Sequence, residues 1–236
     1  MPRLLLVHGS AADHSTWSIQ LAGPLREHFV LDAYDRGSGS VEELADEAGA
    51  RVPSGEPTIA IGSSFGAVVT LELLRRHPGR IAGAVLIEPP MAASDDGPAA
   101  PAGFLAELDR IAEADGGPAA AERFLRTVLG EAAYARMPKA FQDRSKAKWD
   151  AIRADSVALI GYRPRYAELR AITTPVQLVG GEKSAAYFRP TLDALFAHLP
   201  DARLEILRGA GHMLHAEAHR AFNDVVLRFA KDLGVW

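Results

Sequence analysis

The stretch Ile59-Ala-Ile-Gly-Ser-Ser-Phe-Gly-Ala-Val68 is the part of the sequence that decides the fold. A short apolar run ends in Gly62-Ser-Ser-Phe-Gly66, and an apolar pattern with the period of a helix follows at once. This is G-x-S-x-G between a strand and a helix, a layout whose sharp turn lifts the serine hydroxyl off the backbone. Glycine at both ends of the motif avoids the Cβ collisions that so tight a turn would cause. The stretch therefore predicts that Ser64 is an exposed nucleophile at the carboxyl end of a buried strand.

The composition is that of an ordinary folded domain. The chain has 236 residues, of which 48% are hydrophobic and 24% charged, enough for one large α/β domain or for one domain with an inserted module. A net charge of -4 argues against a nucleic-acid partner. The absence of cysteine from the sequence excludes disulfides, thiolate zinc sites and a cysteine nucleophile. The spacing of the histidines does not indicate a metal cluster, so we expect neither a metal nor a cofactor.

The apolar runs of the sequence are short. None is long enough to span a bilayer, and Leu4-Leu-Leu-Val7 is ended by His8 and Gly9 too early to form the core of a signal peptide. We therefore expect a cytoplasmic protein that begins near Met1 and does not associate with membranes.

Apolar runs alternate with helical patterns along most of the chain. Strands are predicted at 3–8, 29–34, 58–61, 81–87, 175–179 and 202–207. Helices are predicted at 18–28, 41–51, 67–77, 187–199 and 217–233. Because the strands read as continuous apolar runs, the pattern indicates a mostly parallel sheet with helices on both faces.

This alternation is interrupted between Pro90 and Thr174. A connection rich in alanine, glycine and proline covers 92–103, and the pattern from Phe104 to about Tyr166 is helical throughout. The interruption begins where the carboxyl end of a strand should face a pocket. We therefore interpret residues 91–167 as a helical lid inserted into a core formed by residues 1–90 and 168–236.

Three motifs, in this order, resemble those of the α/β-hydrolase superfamily, and the resemblance covers nearly the whole chain. They are Val7-His-Gly-Ser10 with Trp17 downstream, Gly62-x-Ser64-x-Gly66, and Gly209-Ala-Gly-His212 before the final helix. The resemblance implies the α/β-hydrolase fold and an enzyme that uses a serine nucleophile and needs no cofactor.

A serine nucleophile needs a base within hydrogen-bond reach, and the base needs a partner that holds its tautomer. His212 is the leading candidate for the base, because the superfamily places its catalytic histidine in the loop after the last strand. His215 is the alternative base, and Ser63 is the nearest competitor of Ser64.

The acid has two candidates. In most of the superfamily it follows the next-to-last strand in a pattern like Gly-x-x-Asp, but that pattern places Ser184 at the acid position here, with Glu182 two residues before it. Glu88 is favoured over Glu182, because it ends the apolar run at 81–87 and a buried carboxylate is costly unless it is hydrogen-bonded. In this region the chain is similar to zearalenone lactonases, which carry their acid at the end of this strand, as does one subgroup of haloalkane dehalogenases.

The chemistry expected of such a site is acyl transfer. Ser64 would attack a carbonyl carbon while the backbone amides of Phe65 and Ser10 hold the oxyanion. A carboxylic ester, a lactone or a thioester would be cleaved through an acyl-enzyme. The alternative readings are a C–C bond hydrolase, a lyase or a pathway-specific cyclase on the same fold, and a binding protein without catalysis.

The substrate is expected to be a small acyl compound of moderate apolarity. Candidates for the pocket wall are the aromatic residues Trp17, Trp149, Tyr162 and Tyr166. The turn Asp35-Arg36-Gly37 also resembles a superfamily turn, and we assign it no catalytic role.

Overall fold

The structure, a computed structural model, describes residues 1–96 and 102–235. These residues form a six-stranded sheet in the order β2-β1-β3-β4-β5-β6, and every neighbouring pair is parallel. The strands are β1 (Arg3–Val7), β2 (Val30–Tyr34), β3 (Thr58–Ser63), β4 (Gly83–Ile87), β5 (Val176–Gly181) and β6 (Ala202–Leu207). Each predicted strand is present, and the predicted fold class is confirmed.

Helices follow the strands and cover the sheet. The helices of the core are α1 (Ser18–Ala22), α2 (Val41–Arg51), α3 (Phe65–Arg76), α10 (Phe188–His198), α11 (Leu214–Glu217) and α12 (His219–Asp232). Between β4 and β5 the chain forms α4 (Ala102–Asp115), α5 (Gly117–Leu129), α6 (Glu131–Arg136), α7 (Lys139–Lys146), α8 (Trp149–Gly161) and α9 (Tyr166–Leu169).

The two faces of the sheet carry separate hydrophobic cores. Successive side chains of a strand point to opposite faces, so in β1 Leu5 joins the core under α2, α3 and α10, whereas Leu4 and Leu6 join the core under α12. Nearly all residues of the four central strands, β1, β3, β4 and β5, are buried on both faces, which is why their sequences read as continuous apolar runs, whereas the edge strands β2 and β6 are only partly buried.

Two predicted helices are broken where the sequence pattern is continuous. The helix predicted at 18–28 ends at Ala22, because Gly23 is extended and the chain restarts as a 3₁₀ turn at Pro24–Glu27. A residue before proline is pushed out of the helical region of backbone space. The helix predicted at 217–233 is divided at Ala218, whose φ of -123° and ψ of 40° are not helical.

The helices α4 to α8 form an insertion with a small core of its own. Leu125, Tyr134 and Ile152 are buried there together with Ala11, which belongs to the loop after β1. Part of the predicted connection at 92–103 lies outside the described residues. Within residues 1–96 and 102–235, no helix combines the length and the apolarity needed to cross a bilayer.

Candidate active site

The turn between β3 and α3 holds Ser64 in a strained backbone conformation. Ser64 has a φ of 54° and a ψ of -123°, and α3 begins at the next residue. A Cβ on Gly62 would lie 2.3 Å from the carbonyl oxygen of Gly66, and a Cβ on Gly66 would lie 2.3 Å from that of Val7. Because both positions are glycine, the turn packs closer to β1 and to the start of α3 than a residue with a Cβ would allow.

The register of the sheet places Ser64 beside Glu88. Ser63 pairs with Ile87, so the next residue of each strand leaves the sheet at the same level. The amide of Ser64 donates to the carbonyl oxygen of Ile87 at 2.8 Å. Glu88 also has a positive φ, 43°, and its amide donates to Val179 of β5 at 3.3 Å. Both strands thus turn sharply at the same edge of the sheet.

Glu88 and His212 form a buried pair. His212 Nδ1 lies 2.6 Å from Glu88 Oε2, and the two side chains are 4% and 2% exposed. The second carboxylate oxygen, Oε1, accepts a hydrogen bond from the amide of Gly181 at 2.6 Å. With Nδ1 bonded to the carboxylate, the other ring nitrogen, Nε2, is left as the nitrogen that can act as a base.

One further contact, with Phe188, sets the position of His212. Its ring is stacked on Phe188, the first residue of α10, with centroids 4.3 Å apart and planes 8° apart. His212 and Ser64 line the same cavity. Among the described residues no hydrogen bond joins Ser64 Oγ to His212, and in unliganded sites such bonds are often formed only when substrate binds.

That cavity lies between the edge of the sheet and the insertion. It comprises about 700 Å³ of space, including the part that is open to solvent. The floor is formed by the loop after β1, the Ser64 turn and the His212 loop. The insertion contributes an apolar wall made of Phe124, Leu125, Val128, Leu129, Met137 and Phe141. Near this wall lie Lys148, which pairs with Asp13 at 2.9 Å, and Arg144, whose guanidinium lies over the ring of Phe141.

The loop after β1 packs directly against Ser64. A Cβ on Gly9 would lie 2.9 Å from Ser64 Cβ. The amide of Ser10 has no acceptor among the described residues. The amide of Phe65 is the first of α3 and therefore has no acceptor within that helix. Phe65 follows Ser64 in the chain and Ser10 lines the same cavity, so both amides are candidates for the oxyanion site.

The alternative base and the alternative acid occupy other roles. His215 is fully buried, and burial lowers its pKa to about 3, with the neighbouring His212 as a smaller cause. Its ring packs against Trp17 at 4.7 Å, and its Nε2 lies 3.3 Å from the hydroxyl of Thr16. Glu182 is exposed and accepts a hydrogen bond from the amide of Gly209 at 2.7 Å. Neither residue therefore takes part in the pair formed by Glu88 and His212.

The four aromatic residues expected in the pocket wall lie elsewhere. Trp17 is fully buried in the core under α12, and Trp149 packs on Gly117 within the insertion. The Tyr162 hydroxyl donates to Glu72, and the Tyr166 hydroxyl donates to a backbone carbonyl. None of the four is among the residues that line this cavity, and their part in binding a substrate stays a prediction. Ser63 does line the cavity, next to Ser64.

Among residues 1–96 and 102–235, one group of side chains has the donor types of a metal site. Ligand atoms of Asp13, His14 and Asp35 lie within 4.8 Å of one another. His14 and Asp35 are largely exposed and pair with each other at 3.0 Å, and Asp13 caps the 3₁₀ turn that His14 begins. The arrangement is accounted for by these contacts and lies at the surface.

Comparison with known proteins places the chain in a family. A model of the alpha/beta hydrolase family matches residues 4–225. The chain therefore belongs to the alpha/beta hydrolase family and is an enzyme of the hydrolase class. Among curated proteins none is significantly similar in sequence. The narrower likeness to zearalenone lactonases stays a prediction.

Solved structures of low sequence identity share the fold. An enol-lactonase from Burkholderia xenovorans has a TM-score of 0.79 at 21% identity, over 98% of this chain and 91% of its own. A thermophilic esterase from Thermogutta terrifontis has a TM-score of 0.78 at 19% identity, over 99% and 90%. An N-formylmaleamic acid deformylase from Pseudomonas putida has a TM-score of 0.69 at 20% identity, over 95% and 91%.

Three residues shape the site although the sequence assigned them no part in it. They are Phe188, which supports the His212 ring, and the pair Arg36 and Asp155, which is buried beside the loop after β1. A signal for Asp155 was present, since a carboxylate within the apolar pattern of α8 needs a buried partner. No sequence pattern identified that partner, because Arg36 lies 119 residues away.

Proposed function

We propose that the protein hydrolyses a carboxylic ester, lactone or thioester through an acyl-enzyme on Ser64. The observation that carries this proposal is the buried hydrogen bond between His212 Nδ1 and Glu88 Oε2 at the edge of the cavity that Ser64 lines. A carboxylate in this position holds the imidazole in the tautomer whose Nε2 accepts a proton, and it stabilises the imidazolium that results.

The first half of the reaction forms the acyl-enzyme. Ser64 Oγ attacks the carbonyl carbon, and His212 Nε2 takes the hydroxyl proton. The tetrahedral intermediate then collapses, and the bond to the leaving oxygen or sulfur breaks. The leaving group receives the proton from His212.

Water completes the cycle. His212 removes a proton from water as the water oxygen attacks the acyl carbon. The Ser64 oxygen then leaves, takes the proton back from His212 and releases the carboxylic acid. The amides of Phe65 and Ser10 supply the oxyanion hole in both halves, and losing one such donor typically costs about 10²–10³ in kcat. Every step uses groups of the chain itself, so we propose no cofactor.

The walls of the cavity suggest the kind of substrate. Six apolar side chains of the insertion line the same cavity as the serine, so we propose that residues 91–167 form a lid that selects a small acyl or ring compound of moderate apolarity. The folds shared with an esterase and an enol-lactonase agree with this choice of reaction.

Replacement of Ser64 by alanine is the direct test. We expect Ser64→Ala to lose at least about 10³-fold in kcat on p-nitrophenyl butyrate and to lose labelling by a fluorophosphonate, because both need the hydroxyl. Ser63→Ala is the matched control, since its hydroxyl is adjacent and lines the same cavity.

Undiminished turnover by Ser64→Ala would remove Ser64 from the mechanism. If the wild-type enzyme cleaves a β-diketone but none of a series of esters, lactones and thioesters, the C–C bond hydrolase is the better assignment. Tight binding of such compounds without turnover would instead indicate a binding protein.

A further inference from the structure

A buried ion pair joins the insertion to the loop that flanks Ser64. Arg36 donates from both terminal nitrogens to Asp155 of α8, at 2.8 Å to Oδ1 and 2.5 Å to Oδ2. The side chains are 4% and 2% exposed. The hydroxyl of Ser10 donates to the same carboxylate at 2.7 Å. A bidentate ion pair of this kind fixes the orientation of the two side chains as well as their separation.

The other edge of the Arg36 guanidinium holds two carbonyl groups of the loop. Its Nε donates to the carbonyl oxygen of His8 at 3.2 Å, and a terminal nitrogen donates to that of Gly9 at 3.4 Å. Its face lies 4.5 Å from the centre of the Phe65 ring. One guanidinium therefore contacts the loop that carries the Ser10 amide and the residue that carries the Phe65 amide.

His8 supplies a second hydrogen-bond donor to the carbonyl oxygen of Gly9. Burial, with the charge of Arg36, lowers the pKa of His8 to about 4, so its ring is neutral near pH 7. Its Nε2 accepts from the backbone amide of Arg36 at 3.3 Å, which leaves the ring proton on Nδ1. Nδ1 then donates to the carbonyl oxygen of Gly9 at 2.8 Å.

These contacts determine where the amide of Ser10 points. The carbonyl of Gly9 and the amide of Ser10 belong to one planar trans peptide, in which the two bonds point in opposite directions. With the carbonyl held by Arg36 and His8, the N–H is directed away from them, and it has no acceptor among the described residues. The next residue, Ala11, has a φ of 59°, a conformation that persists only where its surroundings enforce it.

We propose that Asp155 is a positioning residue for the oxyanion site. It orients the peptide between Gly9 and Ser10 through Arg36 and the Ser10 hydroxyl, so the site is complete only while α8 is docked on the core. This inference rests on the proposed function of Ser64 and assigns to the insertion a part in the chemistry besides covering the substrate.

The test compares two ion pairs that each contain a buried carboxylate, one at the loop and one away from it. Asp155→Asn removes the charge at the loop. Glu72→Gln is the matched control, because Glu72 is equally buried and is bonded to Arg75 and Tyr162. For each variant kcat and KM are measured with p-nitrophenyl butyrate, together with the inhibition constant of an aliphatic trifluoromethyl ketone, which becomes an oxyanion only when a serine attacks it.

We expect Asp155→Asn to lower kcat and the affinity for the trifluoromethyl ketone together by about 10- to 100-fold, with KM changed less than about twofold. Glu72→Gln should lose thermal stability and keep both constants. The inference is overturned if folded Asp155→Asn keeps both constants, or if Glu72→Gln loses them to the same extent.

A second variant covers the case in which Asp155→Asn does not fold. Ser10→Ala keeps the ion pair and removes only the hydroxyl bond to Asp155, and we expect a joint loss of about threefold to tenfold in kcat and ketone affinity. Wild-type values of both would contradict the inference. Failure of the proposed function is distinguishable, because the wild-type enzyme would then neither bind the ketone covalently nor turn over the ester.

Discussion

Glu88 shows how a single residue can be predicted from its place in a strand. Its carboxylate ends an apolar run, and in the structure both oxygens are used, one by His212 and the other by the amide of Gly181. The first contact is the one expected from the cost of burying a carboxylate. The second was not expected, because Gly181 is 93 residues away and the contact depends on how far β5 extends beyond β4.

The two contacts predict the effect of Glu88→Gln. The Gly181 amide needs an acceptor, so the glutamine oxygen stays there and its NH₂ faces His212 Nδ1. The ring proton then moves to Nε2, which can no longer accept the serine proton. We expect kcat for ester hydrolysis to fall by about 10³–10⁴-fold while the fold is kept.

Glu182→Gln is the control for this change, since Glu182 also accepts a backbone hydrogen bond but is exposed. Steady-state kinetics of the two purified variants decide the matter. A crippled Glu182→Gln beside an active Glu88→Gln would mean that the acid has been assigned wrongly.

At the scale of elements, the carboxyl ends of β3 and β4 and the start of α3 form one unit. The strand Thr58–Ser63 and the helix Phe65–Arg76 are joined by a single residue, and the helix starts two residues earlier than predicted. Periodicity alone does not reveal that difference, because the first two residues of the helix belong to the G-x-S-x-G motif. The glycine contacts explain why the junction can be so short.

Gly66→Ala tests this junction. The new Cβ would lie 2.3 Å from the Val7 oxygen and 2.6 Å from the His8 oxygen, and both are backbone atoms of a central strand and its loop. We expect the free energy of unfolding to fall by about 3 kcal/mol or more, at the upper end of what overpacking costs. Chemical denaturation monitored by circular dichroism measures the change.

Gly161→Ala is the matched control, because no atom lies within 4 Å of the added Cβ at the end of α8. It should leave stability unchanged or raise it by about 0.5–1 kcal/mol, since alanine favours a helix. Equal stability of the two variants would show that the close approach at Gly66 is not a constraint.

At the scale of the whole molecule, two histidines are buried in neutral form, His215 in the wall of the cavity and His8 in the loop after β1. Burial lowers the pKa of His8 to about 4 and that of His215 to about 3. In the unfolded chain both would titrate near pH 6.5. Between these values the unfolded state binds protons that the folded state does not. The contribution of the two histidines to the free energy of unfolding is therefore fully present above pH 6.5 and is lost as the pH is lowered.

The measurement is the free energy of unfolding from urea titrations between about pH 8 and about pH 5. Each of the two histidines contributes a slope of at most about 1.4 kcal/mol per pH unit in this window. His215→Asn should reduce the slope of the free energy of unfolding against pH by up to about 1.4 kcal/mol per pH unit, the contribution of one proton. Parallel curves would show that His215 is not held neutral by burial.

The sequence by itself determined the six strands, the sharp turn at Ser64 and the presence of a helical insertion. These features follow from the local spacing of apolar residues and from glycines at a turn, which act over a few residues. Only the tertiary structure decided that Glu88 rather than Glu182 meets His212. It also decided that Phe124 and Phe141 rather than the predicted aromatic residues line the cavity, and that Arg36 meets Asp155. Such contacts join residues far apart in the chain, and they depend on how the insertion and the strand ends come together in space, which no local pattern records.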